Sequence, residues 1–214
     1  MLRQALEILR GDLRSGTNLL LAVDSTIDGN TYEFPVDGSV TALLVTAVTD
    51  GAATLRRPDG SEVIDGDSDA EVLDFGVGES FLIAEPATGN WSVTSTGIHQ
   101  IIVEVESEVA LTAASVYEDV ADDRHMTIAV TDASPIVSES TDFLAALSAV
   151  EVESVQAYLV DLDGERVEQI DGTFEPETGL FTGRARVLTA MGNFRMMLLG
   201  TDAAGNEFQR VSSR

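Results

Sequence analysis

The sequence contains no cysteine and no lysine, and its 12 basic residues, all arginine, face 37 Asp and Glu residues. The absence of cysteine excludes disulfides, thiolate metal sites, Fe–S clusters and a cysteine nucleophile. The net charge of -25 would repel phosphate, so we expect no binding to nucleic acid or to anionic lipid. This acidic, lysine-free composition is typical of a halophilic protein that stays soluble in concentrated salt. An acidic extracellular surface that meets Ca²⁺ is the alternative interpretation.

Aromatic residues and long apolar runs are also scarce. Aromatics make up 6% of the chain, with one tryptophan, so the core must be built mainly from Val, Leu, Ile and Ala. The longest apolar run near the N-terminus covers residues 19–23, whereas a membrane-spanning helix needs roughly 20 residues. We therefore expect no membrane insertion. Charged residues within positions 1–14 also break any secretory hydrophobic segment, so the signal of an exported parent protein is expected outside this chain.

Leucines recur at helical spacing from Leu2 to Leu13, and Gly16 ends this pattern, which predicts a short helix over residues 1–16. From residue 17 onward, short segments rich in Val, Ile, Leu and Thr alternate with turns such as Asp59-Gly60 and Asp163-Gly164. Short strands separated by Asp-Gly turns are typical of antiparallel β-sandwiches. Residues 143–150 are rich in alanine, but their β-branched flanks favour a strand there as well.

The polar run at residues 121–125 divides the strand pattern in two. We therefore predict an all-β fold of two tandem Ig-like antiparallel β-sandwiches, residues 17–120 and 126–214, joined by a linker at 121–125. The turn from Glu85 to Trp91 is echoed by the turn from Glu175 to Phe181, and each turn leads a large aromatic into the next strand. Trp91, Phe181 and Phe208 are the predicted structural anchors of the two cores.

Sequence motifs for catalysis are missing. The two histidines, His99 and His125, stand apart, and the sequence has no Gly-x-Ser-x-Gly elbow, no glycine-rich phosphate loop and no His-Glu-x-x-His helix. We therefore predict that the protein is not an enzyme.

Two acidic clusters are candidate Ca²⁺ sites, and no other cofactor is expected. An EF-hand beginning at Asp65 would need Gly in place of Ala70 and Glu in place of Gly76, so only a looser calcium site is compatible with the first cluster. In the second cluster, bound Ca²⁺ would stiffen the predicted linker. The alternative interpretation is a pair of solvated acidic loops. The candidate ligands are Asp65, Asp67, Asp69, Asp119, Asp122 and Asp123.

Several short strings resemble, in the same order, the region that follows the von Willebrand factor A domain in hemicentin-type extracellular proteins. They are Phe-Pro-Val-Asp-Gly-Ser-Val at 34–40, Leu-Arg-Arg-Pro-Asp-Gly at 55–60, Pro-Ala-Thr-Gly-Asn-Trp-Ser-Val at 86–93, and Phe194 with the string Gly-x-Asp-x-x-Gly-x-x-Phe-x-Arg at 200–210. The lack of cysteine and lysine, which departs from the animal proteins, favours a bacterial or archaeal relative. The resemblance implies that residues 1–14 close an upstream A-type domain.

The resemblance also implies a function. It predicts a non-catalytic structural and interaction module of a larger adhesion-type protein, located outside the cell or at its surface. Such a module would space and present an adjacent von Willebrand factor A-type domain, and its partners would be that domain or other proteins. The alternative is that the sandwich pair binds a ligand itself, either Ca²⁺ at the acidic loops or a glycan on an exposed sheet face.

Overall fold

The computed structural model describes residues 17–25, 29–117, 141–148, 152–185, 194–202 and 204–212. Within these ranges all regular elements are β-strands, which confirms the prediction of an all-β sandwich fold. The helix predicted over residues 1–16 lies outside the described residues. The part of the chain that is described contains no helix with the length and hydrophobicity of a membrane span. The strands are β1 (Thr17–Ser25), β2 (Asn30–Val36), β3 (Val40–Thr49), β4 (Ala53–Arg56), β5 (Ala70–Asp74), β6 (Gly78–Ala84), β7 (Gly89–Ser95), β8 (His99–Ser107), β9 (Ala110–Tyr117), β10 (Thr141–Ser148), β11 (Val152–Val160), β12 (Arg166–Glu175), β13 (Leu180–Ala185), β14 (Arg195–Asp202) and β15 (Glu207–Val211).

The first sandwich packs the strands β5-β6-β3-β8-β1 against a 3-stranded sheet of order β2-β7-β4. Neighbouring strands are antiparallel. Alternate residues of β8 point inward, and Ile101, Val103 and Val105 are fully buried, as the period-two geometry of a strand requires. Phe34 and Trp91 lie opposite each other in register and enter the same aliphatic core from the smaller sheet.

The second sandwich continues the large sheet in the order β15-β14-β11-β12-β13-β10-β9. Strand β12 belongs to both of its layers, because residues 166–170 pair with β11 and residues 171–175 pair with β13. Gly172 lies just after this switch, and a Cβ there would fall 2.4 Å from the ring of Phe181. The bend in β12 therefore depends on a small residue that lets the aromatic ring approach the backbone.

Strand β9 precedes the predicted linker in the sequence but pairs with a strand that follows it. The β9–β10 ladder runs from Ala110 to Tyr117, and both Val109 and Leu111 pack into the core of the second sandwich. The linker predicted at residues 121–125 lies outside the described residues.

Strand β1 joins the two sandwiches. It pairs with β8 of the first sandwich over its length and with β15 of the second at Leu19 and Val211. A small apolar cluster of Val160, Met197 and Val211 lies beside this contact, and Leu19 packs against it. The two sandwiches thus share one continuous 12-stranded sheet, while β2, β7 and β4 form the separate smaller sheet.

Candidate functional site

A buried arginine lies at the junction of the two sandwiches. Arg210, on β15, has an exposed fraction of 0%. Its Nη1 donates to Asp37 Oδ2 at 2.8 Å, its Nε donates to the carbonyl of Val109 at 2.7 Å, and its Nη2 donates to Ser107 Oγ at 2.7 Å. Asp37 belongs to the turn between β2 and β3, so this pair connects the last described strand to the first sandwich.

The carboxylate of Asp37 is also fully hydrogen-bonded. Its Oδ1 accepts the backbone N–H of Ser39 at 3.0 Å and the hydroxyl of the same residue. Ser39 Oγ lies 2.7 Å from Ser107 Oγ. Ser107 Oγ accepts hydrogen bonds from Arg210 and from the backbone N–H of Val109, so its own hydroxyl proton is donated to Ser39 Oγ. The hydroxyl of Ser39 in turn donates to Asp37 Oδ1. The network therefore runs in one direction from the guanidinium to the carboxylate.

Burial of both charges would be costly without this pairing. Burial lowers the pKa of Arg210, and the charge and hydrogen bond of Asp37 act in the opposite direction. An arginine nevertheless keeps its proton in proteins, so the pair is ionic. A buried ion pair adds little stability compared with apolar residues, but the loss of one partner leaves an uncompensated charge. The junction therefore tolerates both residues together or neither.

The turn between β14 and β15 is held by hydrogen bonds to Asp202 and leads into the strand that carries Arg210. Asp202 Oδ1 accepts the backbone N–H groups of Ala204 and Asn206 at 2.9 and 2.8 Å, and Asp202 Oδ2 accepts Asn206 Nδ2 at 3.0 Å. The hydrogen bond from the Asn206 side chain, together with these backbone bonds, lowers the pKa of Asp202. Gly205 adopts a φ of 83°, a conformation that glycine accepts without strain. Phe208 and Arg210 then share the inward face of β15.

A second set of contacts fixes β1 against the other sandwich. Gln209 Nε2 donates to the carbonyl of Leu20 at 2.6 Å, and the backbone N–H of Asp24 donates to the carbonyl of Leu162 at 2.7 Å. Arg195 donates to the carbonyl of Ala22. These bonds reach β1 from β14, from β15 and from the turn after β11, so three separate segments of the second sandwich hold β1.

In the first predicted calcium cluster, two of the three aspartates form ion pairs with Arg57. Arg57 Nη2 lies 2.8 Å from Asp67 Oδ2 and 2.9 Å from Asp69 Oδ1, while Asp65 is exposed in the same loop. The hydrogen bond from Arg57 lowers the pKa of Asp67. Burial of Arg57 lowers the pKa of its guanidinium, but the hydrogen bonds and charges of Asp67 and Asp69 outweigh this and the pKa is raised. The two carboxylates therefore already share one cation of the chain itself, which balances one of their two negative charges.

The second predicted cluster, Asp119, Asp122 and Asp123, lies outside the described residues. Among the residues that are described, no group of three or more His, Asp or Glu side chains is arranged to hold a metal ion.

The three aromatic anchors predicted from the sequence lie in the two cores. Trp91 is buried in the first sandwich and its Nε1 donates to the carbonyl of Ala87 at 2.8 Å. Phe181 and Phe208 are buried in the second sandwich. A Cβ on Gly200 would fall 2.3 Å from the ring of Phe208, so this glycine makes room for the anchor.

The sequence alone does not reveal the ion-pair partners of Arg210 and Arg57. Arg210 and Asp37 both lie in strings that resemble the hemicentin-type region, yet nothing in the sequence pairs them, since 173 positions separate the two. One usable signal was the alternation of β15, because a charge two positions after an inward-facing Phe208 requires a buried partner. The pairing of Arg57 with Asp67 and Asp69 gave no comparable signal.

Fold and junction together define the class of protein: an all-β chain whose sandwiches are joined by a buried ion pair. No known family matches the chain, and neither does any curated protein. Among solved structures, a DUF4785 family protein from Legionella pneumophila aligns with a TM-score of 0.42 and 12% sequence identity, covering 92% of this chain. The chain spans 60% of the length of that protein. Similarity to hemicentin-type proteins stays a prediction from the sequence.

Proposed function

We propose that the chain is a non-catalytic structural and interaction module that holds a neighbouring domain at a fixed distance and orientation. The observation that carries this proposal is the buried network between Arg210 and Asp37, which connects the two sandwiches. The location outside the cell or at its surface, and an A-type domain or another protein as the partner, are proposed from the sequence resemblance.

Rigidity is the property that such a module needs. Domains in one chain move relative to each other by default unless their interface is large and well packed. Here the interface combines a strand pairing at Leu19 and Val211, an apolar cluster beside it, and the Arg210 network. Because the three differ in kind, loss of one leaves the others to resist a hinge motion. A stiff pair of sandwiches transmits position and force to whatever it carries.

The absence of native cysteine makes rigidity easy to measure. Nitroxide labels at Asp59→Cys and Glu177→Cys, both exposed loop residues in different sandwiches, report the distance between the sandwiches by pulsed electron paramagnetic resonance. A matched control places both labels within the first sandwich, at Asp59→Cys and Thr31→Cys. We expect the two distance distributions to have the same width. A distribution between sandwiches that is much broader than the control would overturn the proposal.

A further inference from the structure

A groove of about 700 Å³ lies between the two sandwiches. One wall is the outer face of the smaller sheet of the first sandwich, with Glu33, Pro35 and Asn90. The floor comes from β11, β12 and β14 of the second sandwich and includes Gln156, Arg166 and Leu199. Ligand sites in proteins commonly have volumes of about 300–1,000 Å³ and lie at domain interfaces.

The groove is preformed because the junction fixes its two sides. Gln209 lines it and is 3% exposed, with its Nε2 bound to the carbonyl of Leu20. Phe208, buried beneath the same strand, also lines it. Binding of a ligand in such a groove therefore carries no free-energy cost for ordering two mobile domains around it.

Polar side chains on the wall are oriented before any ligand binds. Asn90 Nδ2 donates to Glu33 Oε2 at 3.1 Å, and both residues are exposed. This bond leaves the amide oxygen of Asn90 and further lone pairs of the Glu33 carboxylate to accept hydrogen bonds. The wall thus presents mainly acceptors.

The floor supplies the complementary donors. The hydroxyl of Tyr158 donates to Gln156 Oε1 at 2.8 Å, which directs the amide nitrogen of Gln156 away from that bond. The guanidinium of Arg166 lies over the ring of Tyr158, 5.0 Å from its centroid, and makes no ion pair with any residue that the structure describes. Apolar surface from Pro35 and Leu199 lies between these polar groups.

We propose that this groove binds a neutral oligosaccharide or polysaccharide chain. Sugar hydroxyls both donate and accept, so they match a wall of acceptors that faces a floor of donors, and the C–H faces of the rings match Pro35 and Leu199. The groove is lined by two carboxylates, Glu33 and Glu207, and by one guanidinium, Arg166. Together with a net charge of -25, this balance disfavours polyanionic glycans.

Native gel electrophoresis through polysaccharide gels tests the proposal with the whole chain. The probes are four neutral polysaccharides (dextran, xyloglucan, galactomannan and mixed-linkage β-glucan) and one polyanion, alginate. We expect at least one neutral polysaccharide to retard the protein. The variant Asn90→Ala/Gln156→Ala, with one change on each side of the groove, should weaken that retardation by about tenfold or more, as expected for the loss of one or two hydrogen bonds.

Gln100→Ala is the matched control, because Gln100 is an exposed glutamine on β8 away from the groove. It should leave the retardation unchanged, and unchanged thermal unfolding of each variant shows that the fold is intact. No retardation in any neutral gel, retardation only in alginate, or equal retardation of the double variant would each overturn the proposal. The spacer function does not depend on this groove, so the distance measurement and the gel experiment can fail independently.

Discussion

Arg210 Nη1 and Asp37 Oδ2 lie 2.8 Å apart with both side chains buried, although 173 positions separate the residues in the sequence. The pair connects the last described strand to the turn between β2 and β3. Each charge is also hydrogen-bonded to neutral groups, namely Val109 and Ser107 on one side and Ser39 on the other.

Replacement of Arg210 by methionine should be strongly destabilising. Arg210→Met leaves the carboxylate of Asp37 buried without its partner, so we expect a loss of about 3–5 kcal/mol in the free energy of unfolding. Urea denaturation measures it. Arg56→Met is the control, because the Arg56–Glu62 pair is about half exposed and such pairs contribute about 0–1 kcal/mol. The double variant Arg210→Met/Asp37→Leu should recover much of the loss; equal losses for Arg210→Met and Arg56→Met would contradict a buried pair.

Trp91→Ala should destabilise the first sandwich. Trp91 is 1% exposed and packs in a core whose other described aromatics are Phe34, Phe81 and the partly buried Tyr32, so we expect a loss of about 3–5 kcal/mol. Circular dichroism during urea unfolding is the measurement, because the variant has no tryptophan fluorescence. Ile98→Ala serves as the control, since Ile98 is 61% exposed. A loss for Trp91→Ala as small as that for Ile98→Ala would refute its role as an anchor.

Asp202 should give a stability contribution that disappears in acid. Its pKa is lowered in the folded state by the Asn206 side chain and by backbone N–H groups, so the unfolded chain takes up the proton first as the pH falls. The contribution is therefore fully present above the ordinary Asp pKa of about 3.9 and is lost as the pH falls through the folded pKa.

Unfolding of the wild type and of Asp202→Asn across this pH range isolates the effect from the titration of all other acids. We expect the difference in stability to be largest above about pH 4 and to shrink below it. Asp65→Asn, a change at an exposed loop residue, is the control. A difference for Asp202→Asn that stays constant with pH would argue against this role.

Removal of the charge of Glu79 should stabilise the folded protein. Its Oε2 is buried and has no hydrogen-bond partner among the described residues, and Glu79 lies directly opposite Asp74 in the β5–β6 ladder. Like charges in that position repel. We therefore expect Glu79→Gln to stabilise the protein by about 0.5–1 kcal/mol, measured as a shift of the urea midpoint. The exposed change Glu71→Gln on β5 should have little effect, and a destabilised Glu79→Gln would show that the carboxylate has a favourable role.

Calcium should bind more readily when Arg57 is removed. In the wild type, Asp67 and Asp69 share Arg57, whereas Arg57→Gln frees two carboxylates in one loop. We expect added CaCl₂ to raise the melting temperature of Arg57→Gln more than that of the wild type, because a ligand stabilises only the state that binds it. NaCl at matched ionic strength controls for screening. An equal calcium shift in both proteins would show that Arg57 does not compete for this loop.

Strands whose alternation is strong could be predicted from the sequence. The pattern over Ala53–Arg56 and Glu207–Val211 gives β4 and β15 with the observed bounds. The strand predicted over the alanine-rich residues 143–150 is confirmed over residues 143–148, which belong to β10, and residues 149–150 lie outside the described residues. Strand β5 (Ala70–Asp74) is not predicted from the pattern, because Ala70 and Val72 alternate over only three positions and the adjacent Leu73 interrupts the pattern. It is an edge strand paired only with β6 among the described strands, where propensity has little influence.

Pairings between distant strands could not be predicted. Strand β9 follows β8 directly in the sequence, yet its antiparallel hydrogen-bond ladder is formed with β10. Local periodicity shows where strands lie but not which distant strands pair. The pairing of Arg210 with Asp37 also depends on topology, because the position of β15 in the sheet brings the two residues together. No local sequence pattern indicates this contact. The groove residues Asn90 and Gln156 are likewise ordinary exposed polar positions until the two sheets are placed side by side.

The separation of 173 positions between Asp37 and Arg210 has a consequence for biosynthesis. The turn with Asp37 and the strand with Ser107 leave the ribosome before Arg210, so any folding of the first sandwich during synthesis takes place while Asp37 lacks its partner. Long-range partners of this kind are the last to assemble. We expect a nascent polypeptide that stalls before β15 to keep the Asp37 carboxylate unpaired, so the emergence of β15 marks the point in synthesis at which the junction can close.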